Sequence, residues 1–160
     1  MSAYFQLAQI NVARMLAPLD SPMMAEFVAL LTVVNAEADA SLGFVWRLQT
    51  SDGDATSVQA FDDPMVLVNM SVWESVDTLK AFAYQSGHRG PLRDRSKWFE
   101  LPKQPHLALW WIPAVHVPTV QEGIERLEYR RAHGDTERAF SFAKIFPAPH
   151  EVAKTAEVNR

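Results

Sequence analysis

The chain contains no cysteine. Disulfide frameworks, thiolate metal sites and thiol catalysis are therefore excluded. Long apolar runs are missing as well, since no window approaches the ~18 uninterrupted apolar residues of a membrane-spanning helix. The opening MSAYFQLAQINVARM lacks a basic start followed by an apolar stretch. No signal peptide is expected, and a cytoplasmic setting is the default. Nor is there an excess of positive charge: the formal net charge of −4 favours solubility and leaves no electrostatic footprint for nucleic acid. Glycine-rich phosphate loops, a nucleophile elbow and HExxH-type histidine pairs are absent, which argues against nucleotide use, serine hydrolysis and zinc. The acidic run SDGDATSVQAFDD at 51–63 lacks EF-hand spacing and a closing glutamate, so it reads as a solvated loop, with a short pairing around Ser57–Phe61.

What remains is a chain of 160 residues, 48% of them apolar, enough for one domain with a true core. Residues 1–149 are expected to form it, and the charged, Ala-rich end at 150–160 reads as a disordered tail. Five tryptophans and nine phenylalanines either fill a heavy aromatic core or line a pocket for a flat ligand.

Period-2 alternation marks strands at 3–12, 44–50, 65–74 and 106–112, with a short edge strand at 139–146. Met65–Glu74 is the most β-branched run and is expected at the centre of a sheet. Ser21-Pro22 opens a helix to about Ala40, with Ser21 as cap. Ser75 caps a second, which breaks near Gly87–Gly90 and restarts at Pro91. Thr119 and Glu122 form a capping box for a third over 119–133, ended by Gly134. The order β-α-β, loop, β-α-β is the split βαβ, ferredoxin-like plan: an α+β fold with a four-stranded antiparallel sheet. Helices on one face leave the other bare. The fourth strand, HLALWWI, is apolar on both sides, so a second sheet is expected to pack there, most simply in a homodimer.

The segments AQINVARM, GFVWRLQT, VNMSVWES, FAYQSGHRGPLRDRSKWF and HLALWWIPAVHVPTVQEGIERLEYRRAHG together resemble the DUF3291 family over about residues 3–149. That family is similar to the dimeric α+β barrel superfamily, which includes antibiotic-biosynthesis-monooxygenase-like proteins. The resemblance implies a ligand space between the sheet and its helices. It also implies a cofactor-independent, monooxygenase-like enzyme acting on a small aromatic or phenolic substrate. No cofactor is predicted on that reading. The alternatives are a haem protein with His88 as axial ligand, and a non-catalytic dimeric module that holds a small hydrophobic or aromatic molecule.

For that space the helical side offers Tyr84, His88 and Trp98. The sheet offers Gln9, Asn11, Trp46, Arg47, Asn69, Ser71 and Trp110, although the neighbours Trp46 and Arg47 cannot both point inward. Which sheet face lines the pocket is left open. His88 and Tyr84 are the candidate catalytic residues, because a neutral imidazole at a helix break can serve as base or haem ligand, or else cap the kinked helix. Asn11, Trp46, Arg47, Asn69, Trp98 and Trp110 are the candidate substrate contacts. Arg47 reads either as a rim charge or as an anion-binding group. His106 and His116 read as surface or turn residues. The basic group Arg89, Arg93, Arg95 and Lys97 reads as a solvated helix face, or as a cluster steering an anionic substrate.

Overall fold

The computed structural model describes residues 4–85 and 94–149. Four strands, β1 (Phe5–Arg14), β2 (Phe44–Arg47), β3 (Val66–Trp73) and β4 (Leu107–Pro113), form one sheet in the order β2-β3-β1-β4. All three neighbouring pairs are antiparallel. Helix α1 (Ala25–Ala40) connects β1 to β2 around the intervening β3, and α2 (Val76–Gln85) lies between β3 and β4. This is the expected ferredoxin-like arrangement, with β1 and β3 at the centre.

Local chemistry accounts for most boundaries. A 3-10 turn at Pro22–Met24 leads into α1, with the fixed φ of proline at its first position. Ser21 is no side-chain cap there; its Oγ is buried without a hydrogen-bond partner. Ser75 does cap α2, its Oγ accepting from the Thr78 amide at 3.1 Å. A third helix, α3 (Val120–His133), starts with Thr119 Oγ1 accepting from the Glu122 amide at 3.1 Å. The carboxylate of Glu122 serves other partners: it accepts from Trp110 Nε1 and lies 2.7 Å from His116 Nε2. Gly134, at φ 75°, then ends α3 in a conformation that only glycine adopts freely.

Two expected strands are shorter than their patterns suggest. β2 leaves the sheet after the Leu48 amide bonds to Met70, because the chain then turns through Thr50–Asp54. Among the described residues no strand pairing forms at 57–61. The segment expected as a final strand over 139–146 reduces to bridges: Phe140 exchanges two hydrogen bonds with Leu109 on the outer edge of β4, and Ser141 folds back onto Lys144.

The two sheet faces differ. One presents Ile10, Met70, Val72 and Trp110 to α3 and to Val58 and Phe61 of the 51–63 loop. The other presents Leu7, Gln9, Leu67, Asn69, Ser71 and Trp73 towards α1 and α2. The first is the face that a second sheet was expected to cover. Ile10, Met70 and Trp110 are fully buried within the single chain, because α3 lies on them. Gly123 makes that approach feasible, since a Cβ there would come within 2.9 Å of Met70 Cε and 3.0 Å of Ile10 Cδ1. The burial argument for a homodimer is thereby removed.

Gly123→Val is expected to cost about 1–3 kcal/mol, the usual penalty for overpacking, measured by urea unfolding. The melting temperature is expected to stay constant over about a hundredfold range of protein concentration. A rise with concentration would show that folding draws on a second copy.

Candidate functional site

The cavity begins with polar residues in the middle of a buried sheet. In the β1–β3 register Gln9 faces Ser71 and Asn11 faces Asn69. Gln9 and Ser71 are only 4% and 8% exposed. Isolated in a core they would be costly, so they satisfy one another. Gln9 Nε2 donates to Asn69 Oδ1 at 2.7 Å and to Ser71 Oγ at 2.8 Å. Asn11 Nδ2 donates to Gln9 Oε1 at 3.0 Å and to Asn69 Oδ1 at 3.2 Å. Trp73 Nε1 donates to Ser71 Oγ at 2.8 Å. Counting donors and acceptors leaves a remainder. Among the described residues the Asn69 amide N–H groups and the Ser71 hydroxyl proton donate to nothing, and Asn11 Oδ1 accepts nothing.

Those unused groups face a cavity of about 540 Å³ between the sheet and its two helices. Phe27, Leu30 and Val34 of α1, Phe82 and Tyr84 of α2, and Trp98 supply its apolar walls. Asn69 is solvent-exposed although β3 is a central strand, so the cavity opens to water beside it.

Arg47 also lines the cavity, but every arm of its guanidinium is engaged. Nε and Nη2 donate to Asp39 of α1 at 2.8 and 3.3 Å, and Nη1 donates to the Gly53 carbonyl at 2.7 Å. It ties β2, α1 and the following loop together at the cavity wall.

A cationic group completes the lining. Arg130 of α3 reaches round the start of β4, donating to the Leu107 carbonyl and to Asp135, each at 2.8 Å. Arg131 donates to the Pro105 carbonyl and to Glu128. His106 lies among them, half-buried. Burial, followed by the charges of Arg95, Arg130 and Arg131, pushes its pKa below the ordinary histidine value. Burial likewise lowers the pKa of Arg95.

Of the candidates read from sequence, the structure brings Asn11, Arg47, Asn69, Tyr84 and Trp98 to this one cavity. Trp46 and Trp110 are placed elsewhere. Trp46 pairs with Val72 in the register and, like Trp110, packs in the cluster under α3 on the opposite face. His88 lies outside the described residues, and the haem reading, which rests on it, is carried no further. His106 was expected at the surface, and Arg95 within a solvated cluster; both line the cavity. Only the fold could show this, since His106 immediately precedes β4 and Arg95 follows the stretch 86–93. Among the described residues no cluster of histidine and acidic side chains could hold a metal, and no helix is long and apolar enough to cross a membrane.

The profile of a domain of unknown function, DUF3291, matches residues 6–156. No curated protein is a detectable relative. Among solved structures, the chain is similar to a protein of unknown function from Nitrosomonas europaea, at 10% identity and a TM-score of 0.45, covering 74% of this chain and 97% of that one. It is similar to a Pseudomonas aeruginosa protein at 13% identity and 0.45, covering 72% and 98%. A third, named "Putative antibiotic biosynthesis monooxygenase" and also from Nitrosomonas europaea, shows 12% identity and 0.44, covering 74% and 98%.

Ser71→Ala strands the Trp73 and Gln9 donors and is expected to cost about 1–3 kcal/mol in chemical unfolding. His106 gives a pH signature. Its folded pKa is depressed, so its contribution is intact above the unfolded value of about 6.5, where both states are neutral. It is lost as pH falls, because the unfolded chain takes the proton first. Thermal melts below about pH 6.5 should show wild type losing stability relative to His106→Gln, with the gap closing above about pH 7.5.

Proposed function

The chain belongs to the DUF3291 family, and we propose that it is a cofactor-independent, oxygenase-like enzyme that binds a small phenolic or enolic molecule as its anion. The observation that carries this reading is the unused donor set, the Asn69 amide and the Ser71 hydroxyl, at the polar floor of an aromatic-walled cavity. Donors already fixed by neighbours stabilise a developing oxyanion without reorganising. Arg95 and Arg130 add positive potential, with Arg130 partly offset by its ion pair to Asp135, and Asp54 is also in the lining. Such an environment lowers the pKa of a bound phenol, so its proton can leave to solvent through the open mouth. Burial, and then the three guanidinium groups that an imidazolium would face, make His106 a poor proton acceptor.

Once ionised, an anthrone-type substrate carries carbanion character at its ring methylene. That carbon adds dioxygen, protonation gives a hydroperoxide, and loss of water leaves a ketone. The balance is CH2 + O2 → C=O + H2O, with dioxygen as the four-electron oxidant. The chain's part is to bind, to hold the anion and to exclude water from one ring face. The poor basicity of His106 favours a second reading, a binding module that holds the same ligands without turnover.

Oxygen-electrode assays with anthrones and quinols test the first reading. Turnover should occur and fall by about a hundredfold in Asn69→Ala, the range for losing an oxyanion donor. No uptake across the panel, or an unchanged rate in Asn69→Ala, would overturn the oxygenase; saturable binding without product would leave the binding module.

A further inference from the structure

Among the described residues the guanidinium of Arg95 makes no hydrogen bond and no ion pair. Its Nη2 is sealed from solvent with no partner, and its nearest compensation is the ring of Phe99, 5.9 Å from Cζ to centroid. The other arginines near the cavity are matched: Arg47 with Asp39, Arg130 with Asp135 and Arg131 with Glu128. The adjoining stretch 86–93, SGHRGPLR, contains no acidic residue that could serve Arg95. A half-buried charge without a partner is unfavourable, and folded proteins retain one where something else supplies the counter-charge.

We propose that Arg95 is the anchor for a ligand carboxylate, so that the molecule entering this cavity is an aromatic monoanion rather than a neutral phenol. One uncompensated positive charge calls for one negative charge, which suits a carboxylate better than a phosphate dianion. Nη2 is enclosed, so the carboxylate meets the guanidinium through the arms that are not sealed, as a charge-assisted hydrogen bond. Arg95 lines the cavity together with Phe27, Trp98 and Phe99, which calls for a flat apolar body on the anion. The chain at Phe99 bridges to Met15, four residues along β1 from Asn11. At the usual strand rise that is roughly 13 Å, part of which the arginine side chain spans. A one- or two-ring acid therefore reaches from the cation towards the Asn69 and Ser71 donors. The proposal rests on the aromatic-ligand reading above and adds a second, independent polar contact.

Three probes separate the two contacts in the full-length chain: 2-naphthol, 2-naphthoate and 6-hydroxy-2-naphthoate, each acid paired with its methyl ester. Calorimetric titration should show the acids binding roughly tenfold or more tighter than the esters, as for a desolvated charge pair. Arg95→Met should erase that difference between acid and ester, and Arg95→Lys should restore part of it. Because Arg95→Met removes an unpaired, half-buried charge, it should also melt at a higher temperature than wild type. The imidazole resonances of His106 should titrate at higher pH when an acid is bound. Esters binding as tightly as acids, an acid preference that survives Arg95→Met, or a lower melting temperature in that variant would overturn the proposal. Weak 2-naphthol binding alongside an Arg95-dependent acid preference would instead count against the phenol reading alone.

Discussion

The structure depends on one constraint: polar side chains placed in the middle of a buried sheet must satisfy one another. Gln9 and Ser71 sit in the two central strands with almost no access to water. The hydrogen bonds joining them to Asn11, Asn69 and Trp73 make that burial tolerable. They also fix the β1–β3 register, because a slip of one residue would carry the set into the apolar face beneath α3. The donors left over after mutual satisfaction are what the cavity offers a ligand. On the proposed reading, stability and ligand recognition come from the same few atoms.

The opposite face explains how a single chain carries this cavity. A ferredoxin-like sheet with two helices covers one side only, and its bare face commonly meets a second sheet. Here α3 takes that place, and Gly123 brings its backbone close to Met70 and Ile10. Reaching round the start of β4, α3 also delivers Arg130 to the cavity, so the helix that closes the core contributes to the electrostatics of the site. Among the described residues near it, Arg95 is a charge left without a partner, a native-state cost of the kind found at functional sites.

Much of this was legible in the sequence. Period-2 alternation gave four strands of the sheet, and β-branching placed β3 at its centre. The caps at Ser75 and Thr119 followed from residue type and spacing. Asn11 and Asn69 were recognisable as polar residues inside strands. What could not be read was which face they shared with a cavity. Both faces of β1 mix polar and apolar residues, and the answer turns on where α3 packs. Trp46 and Trp110 therefore looked like ligand contacts and prove to be core. His106 reads as the first residue of the fourth strand, but that strand starts at Leu107, so alternation does not set its direction; Arg95 lies outside any strand. Ser21 carries the sequence signature of a cap without making its hydrogen bond.

The most direct test is the ionisation of a bound phenol, followed optically. The absorption of 2-naphthol changes when it loses its proton, so its pKa can be read while it occupies the cavity. The account predicts that the bound form ionises at lower pH than the free form, and that Asn69→Ala returns the value towards that of solution. A bound naphthol whose pKa is unchanged or raised would show an apolar receptacle with no hold on an oxyanion, contradicting the central claim.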